Sequence, residues 1–299
     1  MTIQQDKYTY EPFAQTAEYL AVNAAIVRGW VDVMMQKGTK QVERLLDVAT
    51  GVGTMLELFA ENAPKQWDNL SAVCVDMSAE ALKLASARLS RVVSDLELIH
   101  SKAEEMNLPE KSVDVVVWGN GIHYLDPKGQ EQALAAIKRA LKPGGWFCFN
   151  SAFYAESRPP ETLPFYLLQV RKAVAYLRSM GIQRQEREGR AEASNFLPRA
   201  HYEELLKRLG FTIEEVKEVP ARVYKTAWEQ ISSFHQYAAG ALHGYQPDAA
   251  VEAMRQAVGP ALEAHGQKDE NNNLYIQRNW LSVISRLGSQ PLPGAQPTG

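Results

Sequence analysis

Cysteine is nearly missing from this chain: two in 299 residues, Cys74 and Cys148, both inside apolar runs that read as interior strands. That excludes a disulfide framework, no Cys/His cluster has the spacing of a metal site, and a reducing cytoplasm is the expected compartment. Long hydrophobic runs are missing too. No stretch approaches the roughly 18 apolar residues of a membrane span. Gln4, Gln5, Asp6, Lys7, Glu11 and Glu18 interrupt the start of the chain, so neither an export signal nor an integral-membrane role is expected. Charge of one sign is not in excess, since 32 Lys and Arg face 35 Asp and Glu. Such a balance supplies no field to draw a polyanion, which argues against a nucleic-acid partner.

What is present is a 45% hydrophobic composition, enough for the core of one large domain. After the aromatic-rich KYTYEPF, Leu20, Ala24, Val27, Val31 and Met34 recur at three or four, the spacing of a helix. From Leu45 strands and helices alternate: strand 45–49, helix 54–63, strand 71–76, helix 78–92, strand 96–100, strand 113–118, helix 130–141, strand 146–151. This rhythm means βαβ units and a parallel sheet covered on both faces. Ser78 reads as an N-cap with Glu80 in the first turn, and Pro143-Gly144-Gly145 as the stop after Leu141.

Beyond residue 151 the rhythm breaks. The expected organisation is N-terminal lid helices at 1–37, a ligand-binding core at 38–153, a cap insertion at 154–196 and core again at 197–225. A second cap insertion follows at 226–268, then a final core strand at 269–287 and a disordered tail at 288–299.

The stretch LLDVATGVGTMLE carries the chemistry. A dinucleotide fingerprint needs a third small residue three positions after the second glycine, where Leu56 stands, and no Gly-Lys-Ser/Thr follows for a nucleotide triphosphate. Asp47, near the end of the apolar run, would repel a diphosphate and suits a cationic or hydrogen-bond-donating ligand. Gly51 and Gly53 allow unusual dihedrals and close approach of a flat ligand. Asp76 ends the second strand, where a carboxylate accepts both hydroxyls of a ribose. A ribose, a positive charge and no phosphate describe S-adenosylmethionine.

LLDVATGVGT, AVCVDMSAEALKLA, AEEMNLPEKSVDVVV and RALKPGG, in this order, resemble the successive motifs of class I S-adenosylmethionine-dependent methyltransferases. The DVATGxG form is similar to that of the ubiquinone/menaquinone C-methyltransferase group. The resemblance covers about residues 40–152 and implies an α/β, Rossmann-like, mostly parallel sheet of seven strands in the order 3-2-1-4-5-7-6, with helices on both faces. It also implies that Asp47 and the backbone from Ala49 through Thr50 to Gly51 face the methionine part of the cofactor, with Gly53 in the same cofactor-binding turn. By the same resemblance Asp76 holds the ribose, Met77 packs on adenine, Ala103 and Glu104 read its edge, and Asn120 lies beside the sulfonium. Ala49 replaces a commoner glycine, and Lys102 stands where many members have an aspartate that accepts from the adenine amino group.

Other residues carry two readings each. His123 could act as a general base or only shape the pocket. Tyr8, Tyr10 and Phe13 could fold over the cofactor or merely pack, and Tyr124, Phe165, Tyr166 and Tyr176 could line an acceptor pocket or form helix core. Arg184, Arg187 and Arg190 read as a solvated loop, or as a clasp for an anionic group.

The expected activity is metal-free methyl transfer to carbon or oxygen of a small, largely apolar metabolite of natural-product, terpenoid or quinone type, as in secondary metabolism. No Asn/Asp-Pro-Pro-Tyr/Phe follows the fourth strand, which argues against methylation of DNA bases. The rival readings are an NAD(P)-dependent oxidoreductase, a scaffold protein without turnover, and a non-methylating enzyme such as a cyclase on the same scaffold. A homodimer is left open.

Overall fold

The computed structural model describes residues 11–185 and 196–288. Tyr8, Tyr10, Arg187, Arg190 and the tail from residue 289 onward lie outside them.

Five mutually parallel strands, β1 (Arg44–Val48), β2 (Ser71–Asp76), β3 (Asp95–His100), β4 (Val113–Gly119) and β5 (Leu141–Ser151), are followed in the sheet by β8 (Leu274–Leu287), antiparallel to β5, and by β6 (Phe211–Tyr224), antiparallel to β8. Their order is β3-β2-β1-β4-β5-β8-β6, and β7 (Gln267–Lys268) pairs only with β8. With that two-residue strand set aside, this is the seven-strand order expected from the motifs. The central strands read as unbroken apolar runs because both faces are covered: Leu45 and Cys74 belong to one apolar cluster, Leu46 and Val73 to the other.

Local signals account for most boundaries. In α4 (Ala79–Leu89) the Ser78 hydroxyl accepts from the Ala81 amide at 3.2 Å. α5 (Pro127–Ala140) begins earlier than apolar spacing suggests, because Asp126 caps the Gly129 amide at 2.7 Å and Pro127 takes the first helical position. The strand after it also starts earlier than residue 146. β5 runs through Pro143-Gly144-Gly145, which its pairing with β4 absorbs as a register shift between Val113 and Val115.

Helices α1 (Glu11–Ala14), α2 (Ala17–Gln36), α3 (Thr54–Asn62) and α4 contribute to the first apolar cluster, α5 and α7 (Arg199–Arg208) to the second. The first also takes in α6 (Leu163–Ser179), α8 (Lys225–Ser232), α9 (His235–Ala241), α10 (Pro247–Gln256) and α11 (Val258–His265). These five helices come from the two stretches read as insertions.

Candidate functional site

The chemistry-bearing residues meet at the carboxyl ends of β1, β2, β4 and β5, where open α/β sheets hold ligands. The chain leaves β1 through three left-handed residues, Ala49 (φ 52°), Gly51 (φ 56°) and Gly53 (φ 85°). Alanine tolerates this conformation poorly, so the turn is strained at Ala49. At Gly53 a side chain is excluded twice over, by φ and because a Cβ would lie 2.7 Å from Leu89 Cδ1. The turn is pinned by the Thr50 amide donating to the Val75 carbonyl (3.1 Å) and the Thr50 hydroxyl to the Asp47 carbonyl (2.8 Å).

Asp76 joins this turn to the head of α4. Its carboxylate accepts from the Gly51 amide and the Ser78 amide, each at 2.8 Å. Burial raises its pKa, and the two amides oppose that rise. One lone pair on each oxygen stays available on the open side, as a vicinal diol requires.

Asp47 is the anomaly. It is 1% exposed and neither carboxylate oxygen has a hydrogen-bond partner. Burial, then the nearby charge of Asp76, raise its pKa well above the carboxylate range; the Leu56 amide offsets this only in part and makes no formed hydrogen bond.

Asn120, also left-handed (φ 48°), ends β4. Its amide donates to Asn150 Oδ1 (3.0 Å), its Oδ1 accepts from the Ala152 amide (2.8 Å), and its Nδ2 reaches Tyr19 Oη (3.4 Å). Asn150 Nδ2 in turn donates to Asn23 Oδ1 at 2.6 Å, and Asn23 Nδ2 to the Tyr19 carbonyl at 2.7 Å. A buried amide network thus binds α2 to the ends of β4 and β5.

His123 is buried, its Nδ1 3.0 Å from Ser151 Oγ and its Nε2 without a partner. Burial, with Arg278 adding to it, lowers its pKa to about 3. This corrects the expectation of an imidazole titrating near neutrality: in the ligand-free chain the ring is neutral at physiological pH. It packs between Tyr124 (4.1 Å between ring centres) and Phe153 (4.6 Å). The Tyr124 hydroxyl is buried without a partner.

Met77 is 69% exposed at the rim, its carbonyl accepting from His100 Nε2 at 2.9 Å. The turn Ala103–Glu105 lies beyond it, partly exposed, and the Ser101 amide ties this stretch to the Asp76 carbonyl at 3.0 Å. Lys102 pairs with Glu105 at 3.1 Å on the surface. Phe13 is buried edge-on against Tyr19 at 5.1 Å. Phe165 is fully buried against Trp228 (4.9 Å), whereas Tyr166 faces the Arg158 guanidinium. Arg184 donates to the His243 carbonyl at 2.9 Å, in an exposed loop contact.

The structure therefore brings together Asp47, the turn 49–53, Asp76, Asn120, His123 and Tyr124, with Met77, Ala103 and Glu104 on the rim. Tyr19, Asn23, Asn150 and Ser151 escaped the reading of the sequence; each is a common residue type outside any motif. Among the described residues no cluster of His, Cys, Asp and Glu could hold a metal ion, and no helix is long and apolar enough to cross a membrane. A surface hollow of about 640 Å³ beside Tyr224, Lys225 and Asp269 contains none of the site residues.

Residues 45–145, which include the glycine turn, Asp76 and Asn120, match the family described as methyltransferase domain. The ubiquinone/menaquinone biosynthesis C-methyltransferase UbiE of Edwardsiella ictaluri is 28% identical over 137 residues, 44% of this chain and 53% of that protein. The chain spans about half or less of the length of the curated relatives of this kind. Among solved structures, a loganic acid methyltransferase with SAH aligns over 95% of this chain and 96% of its own, with TM-score 0.59 and 11% identity. The [4+2]-cyclase SpnF aligns over 88% and 86%, with TM-score 0.50 and 16% identity. At such identities these likenesses establish the fold.

Proposed function

We propose that this chain, whose residues 45–145 are a methyltransferase domain, transfers a methyl group from S-adenosylmethionine to a small, largely apolar metabolite in the cytoplasm. One observation carries the reading: the buried Asp47 carboxylate with two unpartnered oxygens beside a left-handed glycine turn. An uncompensated interior charge is costly, and a cationic ligand removes the cost. S-adenosylmethionine brings both a sulfonium and an ammonium.

The other residues suit the same ligand. Asp76 offers a lone pair on each oxygen to the ribose hydroxyls, and its two backbone amides hold it at the required orientation. Met77 presents an apolar face for adenine, with Ala103 and Glu104 at its edge. Gly51, with no Cβ, lets the backbone approach the methionine part, and Thr50 keeps the turn in place. Asn120 has its side-chain oxygen and its amide committed to β5, so its role is to position the strand ends. No Asp accepts from adenine at position 102, because Lys102 is turned to Glu105.

When bound, the cofactor supplies an electrophilic methyl group, and what remains for the protein is to place a nucleophile about 3 Å away and exclude water. His123 and Tyr124 do the second: the one buried and the other part-buried just after β4, both are packed against aromatic rings. A neutral imidazole with a free Nε2 can also orient an acceptor hydroxyl, in line with transfer to oxygen, while the aromatic rings suit transfer to an electron-rich carbon. The fold alone does not select the reaction, since a [4+2]-cyclase shares it.

Titration calorimetry tests the cofactor assignment: S-adenosylmethionine and S-adenosylhomocysteine should bind and NAD should not. Tight NAD binding with no binding of the sulfonium nucleoside would overturn it. Incubation with methyl-labelled cofactor and a metabolite extract then reads transfer directly, as label in a small product.

A further inference from the structure

We propose that the acceptor is recognised through a carboxylate clasped by two arginines, the part-buried Arg158 and the buried Arg278. This identification of the acceptor class rests on the methyl-transfer reading above; the anion site itself stands on its own geometry.

Arg278, on β8, is 0% exposed. Its Nε and Nη2 both donate to the Ala152 carbonyl, at 2.9 and 2.6 Å, and Nη1 reaches Tyr166 Oη at 3.4 Å. Its guanidinium carbon lies 4.7 Å from the centre of the Phe153 ring, which packs on His123. Arg158 follows β5, is part-buried, and has its guanidinium carbon 4.5 Å from the centre of the Tyr166 ring and 4.5 Å from that of the Phe196 ring. Its Nε is buried with no hydrogen-bond partner. Phe196 itself stacks on Phe153 at 6.2 Å, so both cations share one aromatic wall that leads to His123 and the end of β4.

Among the described residues neither arginine has a carboxylate within ion-pair distance. Glu156 and Glu218, the acids that act on neighbouring Tyr154, are engaged elsewhere, with the Arg199 amide (3.1 Å) and with Asn279 Nδ2 (3.5 Å). Burial and the charge of Arg278 both act against the charge of Arg158, and only the Tyr237 and Tyr166 hydroxyls act for it. Arginine keeps its proton in any protein, so the charge cannot be shed. Two like charges, one buried and one part-buried, with no counter-ion among the described residues are a destabilising arrangement that an anion would relieve.

Ring packing bears on the shape of the ligand. Tyr166 and Phe196 pack against the Arg158 guanidinium, which leaves its planar edge of N–H donors as the part suited to a ligand. A planar carboxylate matches such an edge in two parallel hydrogen bonds, and Arg278 supplies the second charge. The apolar body of the acceptor would lie along Phe153 and Phe196, toward His123.

The test uses the full-length protein and two isosteric probes, benzoate and benzamide, at about 10 mM. Benzoate should raise the melting temperature by about 2–4 °C and benzamide should not. Arg158→Met should melt higher than the wild type without ligand, because a part-buried charge beside Arg278 is gone, and should lose the benzoate response. A merely structural arginine would give a lower melting temperature on removal. Equal shifts from the two probes, no benzoate shift, or a full benzoate shift in Arg158→Met would each overturn the proposal; if Arg158→Met does not fold, the wild-type comparison decides alone. S-adenosylhomocysteine calorimetry on the same samples separates the two readings: its failure alone removes methyl transfer and leaves the anion site, whereas a failed benzoate response alone does the reverse.

Discussion

A carboxylate without a partner works against the stability of its own fold. The folded pKa of Asp47 lies above its unfolded value, so its contribution is most favourable below the unfolded pKa and is lost as pH rises through the folded one. At neutral pH the ligand-free chain therefore carries a destabilisation that a bound cation lifts. Asp47→Asn should raise the melting temperature of the ligand-free protein by a few degrees, and it should weaken S-adenosylmethionine binding by about 1–3 kcal/mol, roughly five- to hundred-fold in Kd. Melts and calorimetry on the same preparations check both; a lower melting temperature with unchanged binding would mean that Asp47 serves only the turn. His123 has the opposite sign. Its folded pKa, about 3, is below the unfolded value of 6.5, so its stabilising share is complete above 6.5 and declines as pH falls toward 3, by ~1.4 kcal/mol per pH unit. In the wild type the ring should show no NMR titration between pH 5 and 8. The stability lost between pH 7 and pH 5 should shrink in His123→Leu, and an unchanged loss would show that the acid sensitivity comes from other groups.

At the scale of the element, α2 does more than cover the sheet. Val27, Trp30 and Met34 are fully buried in the main apolar cluster, Trp30 Nε1 donates to Ser282 Oγ on β8 at 2.9 Å, and Tyr19 and Asn23 reach the carboxyl ends of β4 and β5. Asn23→Ala leaves Asn150 Nδ2 buried with no partner, which should cost about 1–3 kcal/mol of stability. Because Asn150 holds the Asn120 amide, S-adenosylhomocysteine affinity should fall as well, although Asn23 lies outside the cofactor residues. Loss of stability with unaltered affinity would confine the network to packing. These elements also show what a sequence discloses. The turn 49–53, Asp76 and the cap at Ser78 are contiguous signals and the alternating strands and helices follow from local periodicity, so these elements were legible, whereas the sheet order came from the family resemblance and not from periodicity. β7 is two residues long and leaves no pattern, while the start of β5 is hidden because Pro143-Gly144-Gly145 looks like a break until its neighbour absorbs the register shift. Tyr19, Asn150 and Arg278 come from three distant parts of the chain, and only the assembled sheet brings them to the ends of β4 and β5.

For the whole molecule, the question is whether the helices above the strand ends form a separable lid. α8, α9, α10 and α11 have 8, 7, 10 and 8 residues, lengths at which isolated helices are unstable in water. They hold only by packing, and the packing is shared: Trp228, Met254 and Leu262 belong to the same apolar cluster as Leu45, Cys74 and Val117 of the sheet. α6 reaches the chain from one side of β6 and α8 from the other, so neither stretch can leave without disturbing the strand that separates them. Large proteins often unfold in steps, but this topology places no boundary between cap and sheet across which few contacts run. The slowest-exchanging amides of α10 and of β4 should therefore share one opening free energy in native-state hydrogen exchange, within about 1 kcal/mol. S-adenosylhomocysteine should raise protection in both by the same amount, since a ligand that binds only the folded state stabilises the whole cooperative unit. If α6 and α10 instead exchange several kcal/mol more easily than β4, and if ligand protects only the sheet, the helices are a mobile lid and acceptor entry is controlled by their opening.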